Sequence, residues 1–135
     1  MPKPKDRIVI DTNLWISFLI NKDFSKLEKI ISDNLATLIY SQELIDEFIE
    51  VAQRPKFKRF FNISDLQTLL LAMSEKSVFI EVSSEVDICR DEKDNFLLAL
   101  AKDGKASHLI TGDKDLLVLK TFGKTKILTL SQYLS

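Results

Sequence analysis

The chain has 135 residues, the size of one domain with one core, and its 45% hydrophobic and 29% charged content describes a globular protein rather than a disordered one. Nineteen basic residues against twenty acidic ones leave a net charge of −1, so the molecule as a whole does not attract polyanions, and any nucleic-acid contact must come from local basic patches. A single cysteine, Cys89, and a single histidine, His108, exclude an internal disulfide and a full Cys/His zinc set, which fits a reducing, cytoplasmic setting.

The N-terminal Met1–Arg7 is charged but leads into only three apolar residues, which is not the pattern of a signal peptide. Arg7–Ile10 is a short β-branched run ending at Asp11, the signature of a buried strand. Asn13–Ile20 reads as a short helix and Phe24–Asn34 as another, with Leu27, Ile30 and Ile31 at helical spacing. Ala36–Tyr40 is a second strand. Ser41 then opens a helix running through Ala52 and stopped near Pro55. Asn62 caps a helix extending to about Lys76, with Leu66, Leu69, Leu70 and Met73 turned inward; its apolar run Leu69–Met73 is too short to cross a membrane. Val78–Ile80 is a third strand. Asp91 and Asp94 precede a helix over Asn95–Lys102, closed by Asp103-Gly104. His108–Thr111 is a fourth strand, broken by Gly112, and Lys126–Leu128 a fifth, followed by a short tail capped by Ser131. Strands alternating with helices predict an α/β fold, a three-layer α/β/α sandwich around a parallel sheet covered on both faces.

Parallel α/β sheets place ligands beyond the carboxyl ends of their strands, near the point where strand order reverses. Several acids project to that edge. Asp11 follows the first strand and Asp113 follows the fourth. Glu43 and Glu47 occupy the early turns of the helix after the second strand, and Asp94 opens the helix leading to the fourth. Like charges gathered within a few ångströms oppose their own ionisation, and a divalent cation removes that cost. With no thiol or imidazole cluster available, oxygen ligation of a hard ion such as Mg²⁺ is the chemistry open to such a site, and it suits phosphodiester hydrolysis.

The residues that carry this pattern also carry a resemblance. Ile8-Val9-Ile10-Asp11-Thr12-Asn13 resembles the opening strand motif of PIN domains. Ser41–Phe48 is similar to the family's second acidic segment, with Glu47 as the matching acid. Arg90–Ala101 resembles the third with Asp94, and Leu109–Leu117 the fourth with Asp113. Four weak motifs in family order, covering most of the chain from Arg7 to Thr129, make one strong signal. The resemblance implies a central five-stranded parallel sheet in order 3-2-1-4-5, setting Asp11 beside Asp113. It also implies Mg²⁺ or Mn²⁺ held by Asp11, Glu47, Asp94 and Asp113, and cleavage of RNA. Small size points within the family to VapC-like toxins, hence to a neutralising antitoxin partner and a homodimer.

Each of these residues has a plainer reading. Asp11 can cap the helix that follows it, and Thr12, Asn13 and Thr111 read as caps or as groups orienting the ligands. Glu43 and Glu47, four apart, share a helix face that could simply be solvated. Asp91 has the better claim to be the N-cap of its helix, with Asp94 in the first turn, where the helix dipole favours its charge. Asp115 is either a further ligand or the cap of the turn into Leu116-Leu117. The run Arg54-Pro55-Lys56-Phe57-Lys58-Arg59-Phe60-Phe61 interleaves cations with aromatics. Arg54, Lys56, Lys58 and Arg59 could grip an RNA backbone, or form a solvated face whose phenylalanines turn into the core or a subunit interface. His108 and Cys89 read as structural, and Trp15 and Phe18 as core.

Other phosphate chemistries fit less well. An aspartyl-nucleophile phosphatase wants a second Asp where Asn13 stands. A Toprim-like nuclease wants Glu where Asp11 stands, and a receiver domain wants an Asp closing the third strand, where Ile80-Glu81 stands. The competing reading from another class is a catalytically silent module that keeps the fold to bind RNA or protein.

Overall fold

In the computed structural model the described residues are 5–21, 36–75 and 77–135, with Ser25 and Lys29 between the first two stretches, and excepting the side chains at 72, 73 and 75. The helix expected over 24–34, apart from Ser25 and Lys29, and the inward side chain expected at 73 lie outside them.

The elements follow the hydrophobic pattern. Strand β1 covers Asp6–Ile10 and helix α1 Thr12–Asn21. Strand β2 covers Ala36–Tyr40 and α2 Gln42–Ala52. A single turn α3, Pro55–Lys58, precedes α4, Ile63–Glu75, and the edge strand β3, Ser77–Phe79. Next come α5, Glu92–Asp103, strand β4, His108–Ile110, and a one-turn helix α6, Lys114–Leu117. Strands β5, Thr121–Phe122, and β6, Thr125–Leu128, form a hairpin before α7, Leu130–Leu134. Ser41 caps α2 by accepting the Leu44 amide at 3.1 Å, and Pro55 cannot continue that helix but suits the first turn of α3. Asn62 accepts the Asp65 amide at 3.0 Å while Asp65 accepts the Asn62 amide at 3.1 Å, a reciprocal cap for α4.

The sheet runs β3-β2-β1-β4-β6-β5. Its first five members are parallel in the expected order, β6 being the predicted fifth strand, and β5 adds an antiparallel edge through a turn where Gly123 has φ +60°. A two-residue strand carries no periodicity, which is why it escapes a sequence reading. Ile8, Val9 and Ile10 are all at most 1% exposed, as are Leu38, Ile39 and Tyr40. Successive strand residues face opposite sides, so helices must cover both faces. Each such side chain stabilises the fold by roughly 1.5–3 kcal/mol. Trp15 and Phe18 join this core, as expected, and Phe57 and Phe61 pack against it while Phe60 stays exposed. Gly104 ends α5 hard against β2: a Cβ there would sit 2.6 Å from Ile39 Cγ2.

The chain builds outwards from β1 to β2 and β3, then returns to lay β4 on the other side of β1. That reversal opens a crevice at the carboxyl ends of β1 and β4, where Asp11 and Thr111 leave the sheet. The Asp11 amide still bonds Ile110 O at 3.0 Å, and the Thr111 amide Leu128 O at 3.0 Å. The two side chains that matter there are therefore held by sheet geometry.

Candidate active site

A cleft of about 200 Å³ opens at this reversal, and Asp11, Glu47, Asp91, Asp94 and Asp113 all line it. Each reaches the cleft by a different local device. Asp11 sits one residue past β1, and its two oxygens accept Thr111 Oγ1–H at 2.8 Å and the Asn13 amide at 3.2 Å. Burial raises its carboxyl above the ordinary range, opposed by those two donors, and the charges of Asp113 and Glu47 raise it further. Thr111 has a second task, accepting the Asp113 amide at 3.0 Å and so tying the fourth-strand loop to the first.

Asp91 is the N-cap of α5, accepting the Lys93 amide at 2.9 Å, and α5 starts at Glu92, three residues before the start expected from the apolar pattern. Asp94 lies in the first turn of that helix and is 4% exposed. Its Oδ2 is buried and has no hydrogen-bond partner among the described residues. Burial, then the charges of Asp113, Asp91 and Asp11, push its carboxyl up to about 6. Ligand oxygens of Asp94, Asp113 and Asp115 fall within 4.8 Å of one another.

Asp113 also caps α6, accepting the Asp115 amide at 2.8 Å, so the cap of this turn stands two residues earlier than Asp115, the position expected from sequence as an alternative. Asp115 instead accepts Arg90 through both oxygens at 3.0 Å. Glu47 reaches in from α2, one oxygen 3.2 Å from Lys93 Nζ and the other 3.4 Å from Thr12 Oγ1. Glu43, one turn earlier, is exposed and outside the cleft; the shared helix face ends at the cleft rim. Of the basic run, Arg54 and Lys56 line the cleft with Phe57, whereas Lys58 and Arg59 are exposed away from it, Arg59 over the ring of Phe60 at 5.0 Å. His108 contacts Ser107 Oγ at 2.8 Å and the Tyr133 ring, at the far end of its strand from the cleft.

Two features near the cleft were not anticipated. Asn95, 3% exposed, accepts the Ile88 and Cys89 amides at 3.1 and 2.8 Å and donates to Cys89 O at 3.0 Å, pinning the extended segment that leads to Asp91. A polar residue on the inner face of an apolar helix was the available signal. The other is Lys93, whose pairing with Glu47 joins α5 to α2 and cannot be read from spacing.

The donor set is all oxygen, and it includes a buried carboxylate oxygen with no partner among the described residues. That arrangement, with Asp94, Asp113 and Asp115 near enough to share an ion, suits a hard divalent cation such as Mg²⁺ or Mn²⁺.

The PIN domain family model matches residues 7–115, which contain all of these acids. The chain belongs to the PIN domain family. It is 35% identical over 127 residues to the uncharacterised protein MJ1680 of Methanocaldococcus jannaschii, across 92% of this chain and 81% of that one. Its fold is shared with a chain in the crystal structure of VapBC2 from Rickettsia felis bound to a DNA fragment from their promoter. That match has a TM-score of 0.55 and 16% identity, covering 90% of this chain and 96% of the other. This PIN chain keeps the parallel order of its family and a cluster of acids at the switch point. Among the described residues no helix is long and apolar enough to cross a membrane.

Proposed function

We propose that this PIN domain, as one nuclease domain over residues 1–135, is a Mg²⁺- or Mn²⁺-dependent endoribonuclease and the toxin of a toxin–antitoxin pair. The observation that carries the reading is Asp94: a carboxylate 4% exposed, with an unpartnered oxygen, set among other acids in a PIN chain. A divalent cation held there would neutralise the cluster, acidify water and stabilise the leaving oxygen of a phosphodiester. Asp94 and Asp113 would hold it, and Asp11 and Glu47 would complete the metal site. Thr111, Thr12, Asn13 and Asp91 orient those acids or the backbone that carries them, through the hydrogen bonds described above. Arg54 and Lys56, on the rim of the same cleft, would receive the RNA backbone.

The fold shared with a VapBC2 chain supports a protein antitoxin as partner. Exposed Phe60 offers apolar surface for that partner or for a second copy of the chain. A free RNA-cutting enzyme needs restraint in the cytoplasm, where we place it.

The test is cleavage of mixed cellular RNA with and without Mg²⁺. Asp11→Asn, Glu47→Gln, Asp94→Asn and Asp113→Asn are each expected to lower the rate roughly a hundredfold or more, with unchanged circular dichroism. Near-wild-type cleavage by any three of them would remove the site assignment. A metal-dependent rise in melting temperature without any cleavage would leave a silent binding module.

A further inference from the structure

The acids of the cleft fall into two groups of different electrostatic standing. Asp94, Asp113 and Asp115 form the tight side, Asp115 already paired with Arg90, and Asp94 Oδ2 there has no partner among the described residues. Glu47 forms the other side, and both its oxygens are engaged, one by Lys93 Nζ at 3.2 Å and one by Thr12 Oγ1 at 3.4 Å. Lys93 is placed against helix preference. It occupies the first turn of α5, where the dipole disfavours a cation, between two acids of its own sequence, and it lines the cleft with the carboxylates. The Lys93 side chain is 58% exposed and that of Glu47 25%, so the pair bridges α5 and α2 at the solvent side of the cleft they both line.

We infer that the Lys93 ammonium stands where a second divalent cation would otherwise sit. The chain then binds one such ion tightly, at Asp94 and Asp113, and Glu47 takes a second only by releasing Lys93. The inference rests on the metal-dependent reading of the site and adds its stoichiometry and the residue that sets it. An ammonium a few ångströms from a carboxylate offsets its charge with half that of a divalent ion, and the charge is tethered to the chain. Released from Glu47, the same side chain is free to meet an RNA phosphate at the cleft mouth.

The experiment is titration of the metal-free protein with Mn²⁺, following free ion by electron paramagnetic resonance and bound heat by calorimetry. Wild type is expected to take one ion tightly and a second at least about tenfold more weakly. Lys93→Met is expected to tighten the second site by about tenfold or more, a conservative figure for one unit charge at this distance in a partly exposed site. Lys93→Gln should do the same. Lys102→Met removes an equal charge from the last turn of α5 and should leave both sites unchanged. Two ions of equal affinity in wild type overturn the inference, as do Lys93 variants with wild-type isotherms. In either of those cases the metal reading survives. No Mn²⁺ bound by wild type at all would overturn both.

Discussion

Asp94→Asn should make the metal-free protein more stable while destroying its activity. Burial and the charges of Asp113, Asp91 and Asp11 push this carboxyl from an ordinary 3.8 up to about 6. The native state therefore keeps the proton to about pH 6, whereas the unfolded chain gives it up near pH 4. Across that interval the native state binds more protons, so stability falls as pH rises. At about 1.4 kcal/mol for each tenfold in proton affinity, the loss at pH 7 is about 3 kcal/mol. Asp94 lines an open, polar cleft whose solvent screens part of this, so the figure is an upper bound. The asparagine variant escapes that loss, and its amide can donate towards Asp113. In EDTA at pH 7 it should gain up to about 3 kcal/mol in urea denaturation, or about 10 °C in melting temperature at roughly 3–4 °C per kcal/mol. The gain should shrink through pH 4 and vanish near pH 3, about one unit below the unfolded value, where both proteins are neutral at this position in both states. Saturating Mn²⁺ should reverse the order at pH 7, since only wild type gains binding energy from the ion. An Asp94→Asn protein no more stable than wild type at pH 7 in EDTA, or equally favoured near pH 3, would refute the reasoning.

Asn95→Leu removes three hydrogen bonds to Ile88 and Cys89 and should cost about 2–4 kcal/mol. Hydrogen exchange should quicken at those two amides before it quickens in the sheet, and unchanged protection there would show that the segment is held by other means. The basic run should divide as the cleft divides it. In an Asp11→Asn background, Arg54 and Lys56 replaced together by Ala should lower the salt slope of single-stranded RNA binding by about 1.4, at about 0.7 for each contact. The matching Lys58 and Arg59 pair should leave the slope unchanged, and equal slopes for all three proteins would count against a role for the cleft rim.

Much of this architecture is written in local pattern. Runs such as Ile8–Ile10 and Leu38–Tyr40 are apolar on both faces, which only a covered parallel sheet accommodates, and the acids that follow such strands must emerge at one edge. What escaped the sequence depends on contacts between distant elements or on elements too short to have a period. Strand β5 is two residues of a hairpin. The last helix is capped by Thr129 with Gln132 returning the bond, rather than by Ser131, because either residue satisfies the same local rule. Strand β3 begins at Ser77 rather than Val78, at a sheet edge where exposed side chains give no alternation. Glu43 and Glu47 are equivalent by helical spacing, and the position of the cleft alone separates them. The Lys93–Glu47 pair needs α5 and α2 already docked.

The way the acids are matched bears on why they are there. Among the described residues around the cleft, Asp11 has Thr111 and the Asn13 amide, Asp91 has the Lys93 amide, and Asp113 has the Asp115 amide. Asp115 has Arg90, and Glu47 has Lys93 and Thr12. Caps and ion pairs of this kind would be ample explanation for each of those residues taken singly, since they stabilise helix ends and loops whatever the protein does. Asp94 has no such explanation. Among the described residues it caps nothing and its Oδ2 meets no donor, and its raised carboxyl is expected to cost the metal-free fold stability at neutral pH. A fold that needed only a helix start at Asp91 would do better with almost any neutral residue in its place. Strongly perturbed carboxyls of this sort gather where charge is used rather than where it is stored. That is what the proposed metal role would require of Asp94, and the caps and ion pairs that account for the acids around it account for none of it.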